Sequence, residues 1–422
     1  MLSVGGLSIL VLSLVVAEDA PLVSTEEGWI SGVRQTSTKG RELYAYHSIP
    51  FAQPPLNHLR LKDPVPAESW VGVKDGSKMP QPCLQVPLRA ATLGQRLSPE
   101  NFLGSEDCLY LNVYTPADKS PESELPVMVY IHGGAFFGGA ANHYSPSALL
   151  NHDVVLVIIQ YRLGVMGFLS TEDSVIPGNF GLKDQTLALQ WVQRNINNFG
   201  GDKTKVTIFG ESAGGVSVSL QMLAPKAKGL FSRVIMQSGT ALAWWGTDFN
   251  HREKAEKIGQ AFGCPVTSDS QILLECLQKV DGRSLGAKVQ DFFVRVPHED
   301  ELLYLFQAEE LLGPSKYLQQ LRTPEDLEMR DIMSKLWTNF ATTGNPTPDD
   351  SLGFTWEPST EDNLHYLALN LKPTMEADRR QEVRKFFASL PLKMNNILYP
   401  DRVLQDHTLQ QENSRRTMRN EL

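Results

Sequence analysis

Little in this chain points toward a metal, a nucleic acid or a membrane. Its four cysteines, at 83, 108, 264 and 276, form no C-x-x-C pair, and no histidine cluster accompanies them. A zinc site of ordinary ligand spacing is therefore not expected. Positive charge is in deficit, 39 Lys and Arg against 48 Asp and Glu, for a net charge of −9. That balance argues against a polyanion or an acidic membrane surface as partner. No apolar run is long enough to span a bilayer. No usable N-x-S/T acceptor is present, since Asn345 is followed by Pro346. There is no internal repeat. What remains is an ordinary globular composition, 41% hydrophobic in 422 residues, enough for one large domain or two smaller ones.

The stretch Leu7 to Val16 is almost wholly apolar, and Val15-Val16-Ala17 offers small residues at the positions of a cleavage site. Residues 1–17 read as a signal peptide, although the only positive charge ahead of the run is the α-amino group. A buried first helix is the alternative. In an oxidising compartment four cysteines suggest two bridges. Three pairings are possible. The sequential one, Cys83–Cys108 and Cys264–Cys276, closes two local loops and is the expectation.

Short apolar runs alternate with helical stretches. Val127–Ile131, Val154–Tyr161, Val206–Phe209 and Arg233–Gln237 read as strands. Lys183–Asn198 reads as a helix with Leu187, Leu189, Trp191, Val192 and Ile196 on its apolar side. This alternation predicts an α/β fold with a doubly wound, mostly parallel sheet, its site at the carboxyl ends of the strands.

At one of those ends lies Gly210-Glu211-Ser212-Ala213-Gly214, between the strand Val206–Phe209 and a small-residue run suited to a helix, Ala213–Leu220. This is the context of a nucleophile elbow, where flanking side chains would clash with a sharply turned serine. A second strand, Val127–Ile131, runs into His132-Gly133-Gly134-Ala135-Phe136. Small residues there let backbone N–H groups point into a pocket. Together with the N–H of Ala213 they suit an oxyanion hole. A plain glycine-rich hairpin is the competing reading.

Longer segments then resemble one family, the type B carboxylesterases and cholinesterases, which are α/β-hydrolases. They are Ile49–Pro55, Ser105–Asn112, Tyr161–Gly164, Gly178–Gln185, Asn198–Asp202 and Gly210–Gly215. The resemblance implies an α/β-hydrolase fold, secretory routing, the sequential disulfides, and ester hydrolysis through Ser212 with Gly134, Ala135 and Ala213 as oxyanion donors. His298, in His298-Glu299-Asp300-Glu301-Leu302, resembles the family's catalytic histidine segment, with Glu299 in place of the usual glycine. The chemistry implied is two-step acyl transfer: His298 takes the Ser212 proton, Oγ attacks the ester carbonyl, and water later hydrolyses the acyl-enzyme. It needs no metal or organic cofactor. Its partner is a small, apolar ester.

The spacing departs from the family. Ser212 and His298 are less than half as far apart as in its members, and the segment carrying the triad acid is not recognisable. A join near Ala287–Asp291 reads as an internal deletion. Asp248, Glu253, Glu256, Asp269, Glu275, Asp281 and Asp291 lie in the right chain order without a matching context, so the triad acid is unassigned. Loss of that acid costs roughly 10⁴ in kcat, about 5.5 kcal/mol. The expectation is therefore a serine carboxylesterase. The alternatives are a catalytically impaired or non-catalytic binding relative, or an electrophile scavenger acting through Ser212.

The expected organisation is a signal peptide at 1–17, one hydrolase domain at 18–392 incomplete near 286–294, and a polar tail at 393–422. The loop between Cys83 and Cys108 carries no tryptophan, which argues against choline esters. Glu211 stands where juvenile-hormone esterases usually show Gln. Phe136, Phe137, Trp244 and Trp245 are candidates for an apolar acyl pocket, or for plain core. Secretion is expected, with the ER lumen as alternative through Arg419-Asn420-Glu421-Leu422.

Overall fold

A computed structural model describes residues 20–87, 96–243, 246, 250–265, 267–292, 305–306, 323–360 and 364–378. The expected signal peptide, His298, Trp244, Trp245 and the polar tail lie outside the described residues. Two compact units are present, one ending at Pro348 and one beginning at Asp349.

In the first unit the strands are β1 (Leu22–Ser24), β2 (Trp29–Ser31), β3 (Val33–Thr36), β4 (Glu42–Pro50), β5 (Val73–Asp75), β6 (Tyr110–Pro116), β7 (Leu125–Ile131), β8 (Val155–Ile159), β9 (Gly201–Glu211) and β10 (Arg233–Gln237). The helices are α1 (Gly164–Phe168), α2 (Phe180–Asn195), α3 (Ala213–Leu223), α4 (His251–Ala261), α5 (Ser270–Leu277), α6 (Gly282–Ala287) and α7 (Pro324–Thr343). Seven strands form one sheet in the order β10-β9-β7-β8-β6-β4-β3, and β1, β2 and β5 form a small separate sheet. From β10 to β8 the pairings are parallel. From β8 to β3 they are antiparallel.

The parallel half is where the sequence alternates apolar runs with helices. Every residue of β7 and β8 is buried, as expected where both faces are covered. One face carries Val127, Val129, Ile131, Val157 and Ile208 in a cluster with Leu187, Trp191 and Val192 of α2. The opposite face presents Tyr130 and Phe209, which pack on Tyr144 and Phe306. The same cluster contains the other apolar residues read for this helix, Leu189 of α2 and Ile196 in the turn that follows it.

Two of the resembling segments meet in a buried ion pair. Arg162 donates through Nη2 to Asp184 Oδ1 at 2.7 Å and through Nε to Oδ2 at 2.8 Å. Cys83 is bonded to Cys108 and Cys264 to Cys276. Among the described residues no helix is long and apolar enough to cross a membrane. The described residues of the second unit include a short helical turn at Asp350–Leu352 and an antiparallel hairpin of β11 (His365–Ala368) with β12 (Thr374–Ala377).

Candidate active site

Ser212 sits between β9 and α3, where the chain leaves a parallel strand and enters a helix within one residue. Its φ is 54° and its ψ −120°, a conformation that costs a non-glycine residue about 1–3 kcal/mol. The neighbours hold it there. Ser212 N–H donates to Gln237 O of β10 at 2.8 Å, and Ser212 O accepts from Val216 N–H at 2.9 Å. The glycines of the elbow are needed for close approach. A methyl on Gly210 would stand 2.6 Å from Ile131 O; on Gly214, 2.0 Å from the same oxygen; on Gly215, 2.7 Å from Gln237 O. Three strands therefore converge on the turn with no room for a side chain.

The segment after β7 faces this turn. A methyl on Gly133 would lie 3.2 Å from Ser212 Cβ and 2.7 Å from Glu211 Oε2, so the loop abuts the serine. Gly134, Ala135 and Phe136 have φ of 95°, 54° and 62°. This is a tight turn, closed by bonds from Phe137 N–H and Gly138 N–H to Gly134 O at 2.9 and 3.0 Å. The hairpin alternative is not what forms. Among the described residues, none accepts a hydrogen bond from the backbone N–H of Gly134, Ala135 or Ala213. Buried N–H groups are seldom left without an acceptor, and Gly134 and Ala213 are buried. Ala213 also opens α3, where the helix dipole favours negative charge.

The charged and aromatic surroundings are fixed by burial. Glu211 is fully buried. Burial raises the Tyr161 phenol well above its usual range, and the Glu211 charge adds to the rise. Tyr161 is thus held protonated and donates its hydroxyl to His132 O at 2.7 Å. The His132 ring stacks on Tyr161, with centroids 4.4 Å apart. Its Nδ1 lies 2.9 Å from Gly133 O. Burial lowers the His132 pKa to about 4, against a smaller opposing effect of that bond. The ring is neutral at physiological pH.

Phe136 is half-buried and edge-on to Phe168, with centroids 5.0 Å apart. Phe137 packs against the cluster containing Met166 and Ile258. Phe306, eight residues beyond His298, is fully buried against Tyr130 at 4.4 Å. The chain downstream of His298 thus returns to the strands bearing the loop and the elbow. The described acids of the candidate set have other partners. Asp269 and Asp281 cap α5 and α6. Glu253 pairs with Lys257, Glu256 with Arg252, and Glu275 with Gln271. Asp248 and the side chain of Asp291 lie outside the described residues.

Sequence reasoning missed Gln85, Gln160 and Gln237. Gln160 Nε2 holds Cys108 O at 2.8 Å, and the Gln237 amide oxygen accepts from Trp337 Nε1 at 3.2 Å. No spacing rule marks a lone glutamine. For Gln85 the one available signal was its place two residues after Cys83.

With the geometry in view, the comparisons with known proteins agree with it. The carboxylesterase family model matches residues 19–295 and again 283–387. Esterase FE4 of Myzus persicae is 39% identical over 321 residues, 75% of this chain and 54% of its own. Carboxylesterase 1E of Mus musculus is 45% identical over 280 residues, 64% of this chain and 49% of its own. A fatty acyl-CoA hydrolase precursor, medium chain, of Anas platyrhynchos is 46% identical over 271 residues, 62% of this chain and 48% of its own. The chain spans about half the length of the curated relatives it matches.

Proposed function

The chain belongs to the carboxylesterase family, and from that premise we propose that it is a serine esterase that hydrolyses carboxylic esters through an acyl-enzyme. In this reading Ser212 Oγ is the nucleophile and His298 the base. The N–H groups of Gly134, Ala135 and Ala213 receive the oxyanion. The observation that carries it is the strained Ser212 elbow beside three backbone donors that find no acceptor among the described residues. Such donors, fixed before substrate arrives, stabilise developing charge without reorganisation at the moment of reaction. The half-buried Phe136, edge-on to Phe168, suits an apolar ester. The relative named as a medium-chain acyl-CoA hydrolase supports the same acyl preference.

A second reading is favoured by one observation. Every described carboxylate in the candidate set caps a helix or pairs on the surface. Residues 283–295 take part in both family matches, which supports a join of two family segments there with the acid-bearing piece absent. An enzyme so shortened acylates slowly, by about 10⁴ relative to a complete triad. Secretion is proposed from the leader-like start, with the ER lumen as alternative.

The test is labelling of the purified chain with a fluorophosphonate probe, beside Ser212→Ala. Label on the parent alone supports the esterase. Label on both, or on neither when the protein is folded, removes it and leaves ancestry without activity.

A further inference from the structure

The loop that carries two of the oxyanion donors is under strain, and its own residues do not explain why it stays in place. Ala135 and Phe136 are non-glycine residues in the left-handed region, which costs roughly 1–2 kcal/mol each. A loop in that state relaxes unless both ends are held. Its entry is held by Tyr161 through His132 O. Its middle is held by Gly164 N–H, which donates to Phe136 O at 2.8 Å. Its exit is held by one side chain from 54 residues upstream.

That side chain is Gln85, 3% exposed. Its Oε1 accepts from Gly139 N–H at 2.8 Å, and its Nε2 donates to Gly139 O at 2.8 Å. The second Nε2 hydrogen goes to Cys83 O at 3.0 Å. The amide thus pairs with both backbone groups of a single residue, as a neighbouring strand would. A carboxamide donates through its nitrogen and accepts through its oxygen without carrying charge, so it can pair with both groups at once. Gly139 has φ 109°, and a methyl there would strike His132 Nδ1 at 2.2 Å, so glycine is required where the glutamine seizes the chain. The Gln85 backbone is itself fixed. It exchanges hydrogen bonds with Leu103, N–H to O at 3.1 Å and O from N–H at 3.0 Å. Two residues before it stands Cys83, bonded to Cys108.

We infer that Gln85 is a positioning residue for the oxyanion hole, clamping the exit of the Gly133–Gly139 loop to the Cys83–Cys108 disulfide. The inference rests on the esterase reading. Gln85 touches no substrate. It acts by keeping Gly134 and Ala135 in the backbone state that aims their N–H groups beside Ser212. Placement of such donors matters because removing even one typically costs 10²–10³ in rate.

The variant is Gln85→Met, of similar length and with no amide. Fluorophosphonate labelling is expected to slow by about 10- to 100-fold, and kcat on a p-nitrophenyl ester to fall alike with KM little changed. Hydrogen exchange in the 133–139 peptide should quicken while that of β7 and β9 stays slow. A labelling rate within about twofold of the parent overturns the clamp, as does a loss carried by KM alone. Should Gln85→Met not fold, the parent suffices: the Gly139 amide must exchange slowly, and fast exchange there overturns the clamp. A folded parent that takes no label removes the esterase reading and the catalytic role of Gln85 together. A parent that labels beside an equally reactive Gln85→Met removes the clamp alone.

Discussion

The elbow and the loop after β7 are both strained turns at the ends of adjacent parallel strands, yet they are held by different means. At the elbow the constraint is backbone against backbone. Gly210 and Gly214 let β9 and α3 press on Ile131 O, and Ser212 N–H is paired with Gln237 O. The loop after β7 has backbone bonds at its middle, from Gly164 N–H and within its own turn, but its two ends are held by side chains that arrive from elsewhere in the chain: Gln85 at its exit and Tyr161 at its entry. The elbow is therefore a local device, and the loop depends on how well its surroundings are assembled.

The difference predicts how each part fails. The largest effect is expected at the elbow. Gly214→Ala would place a methyl 2.0 Å from Ile131 O, a backbone atom that cannot step aside. A loss of at least about 3 kcal/mol is expected, the upper end for overpacking, and a urea melt reads it. A melt within about 1 kcal/mol of the parent would show that the elbow has slack and the contrast is wrong.

The entry of the loop should fail with acid. His132 has its pKa lowered to about 4 by burial, against about 6.5 in an unfolded chain. As pH falls from about 6.5 to about 4 the unfolded state takes up a proton that the native ring refuses. Stability from this group is thus intact above about pH 6.5, and roughly 3 kcal/mol is lost by pH 4. Urea midpoints of the parent and His132→Asn across that range should converge as the pH drops. Parallel curves would assign the acid sensitivity to other groups.

The smallest effect is at Ala135→Gly. Relief of the left-handed φ of 54° and the added freedom of the unfolded glycine are of similar size and opposite sign. Stability should move by less than about 1 kcal/mol. The labelling rate should nonetheless fall by a few-fold, because a glycine no longer resists relaxing between its clamps. An unchanged rate would show that the strain at this position contributes nothing to the placement of its N–H.

Much of this was legible before any coordinates. β10 spans the residues read from the sequence, Arg233–Gln237, and β7 differs only by two residues at its start. β7 is short, almost wholly apolar and buried throughout, the signature of a strand covered on both faces; β10 keeps an apolar middle between Arg233 and Gln237 but is largely half-exposed at the end of the described sheet order. The antiparallel wing was not legible. β4 has inward Leu43 and Ala45 but also Tyr44 and His47, and its register shifts between Tyr46 and Ile49, which breaks the period of two. Ser212, Gly134, Ala135 and Ala213 were read as candidates from local spacing and from the family resemblance, and they lie on the elbow and on the loop that abuts it. The acid was not assigned from the sequence, and the described members of the candidate set, Glu253, Glu256, Asp269, Glu275 and Asp281, cap helices or pair with neighbours on their own helices.

The amino-acid order by itself determined the strand–turn–helix at Ser212 and the glycine-rich exit of β7, because their constraints act between residues a few positions apart. Which residues hold that exit in place was decided only by the tertiary structure. A glutamine bonded to a backbone 54 residues away leaves no periodic or compositional trace. Its partner exists only once the disulfide-bonded segment has been folded against the sheet.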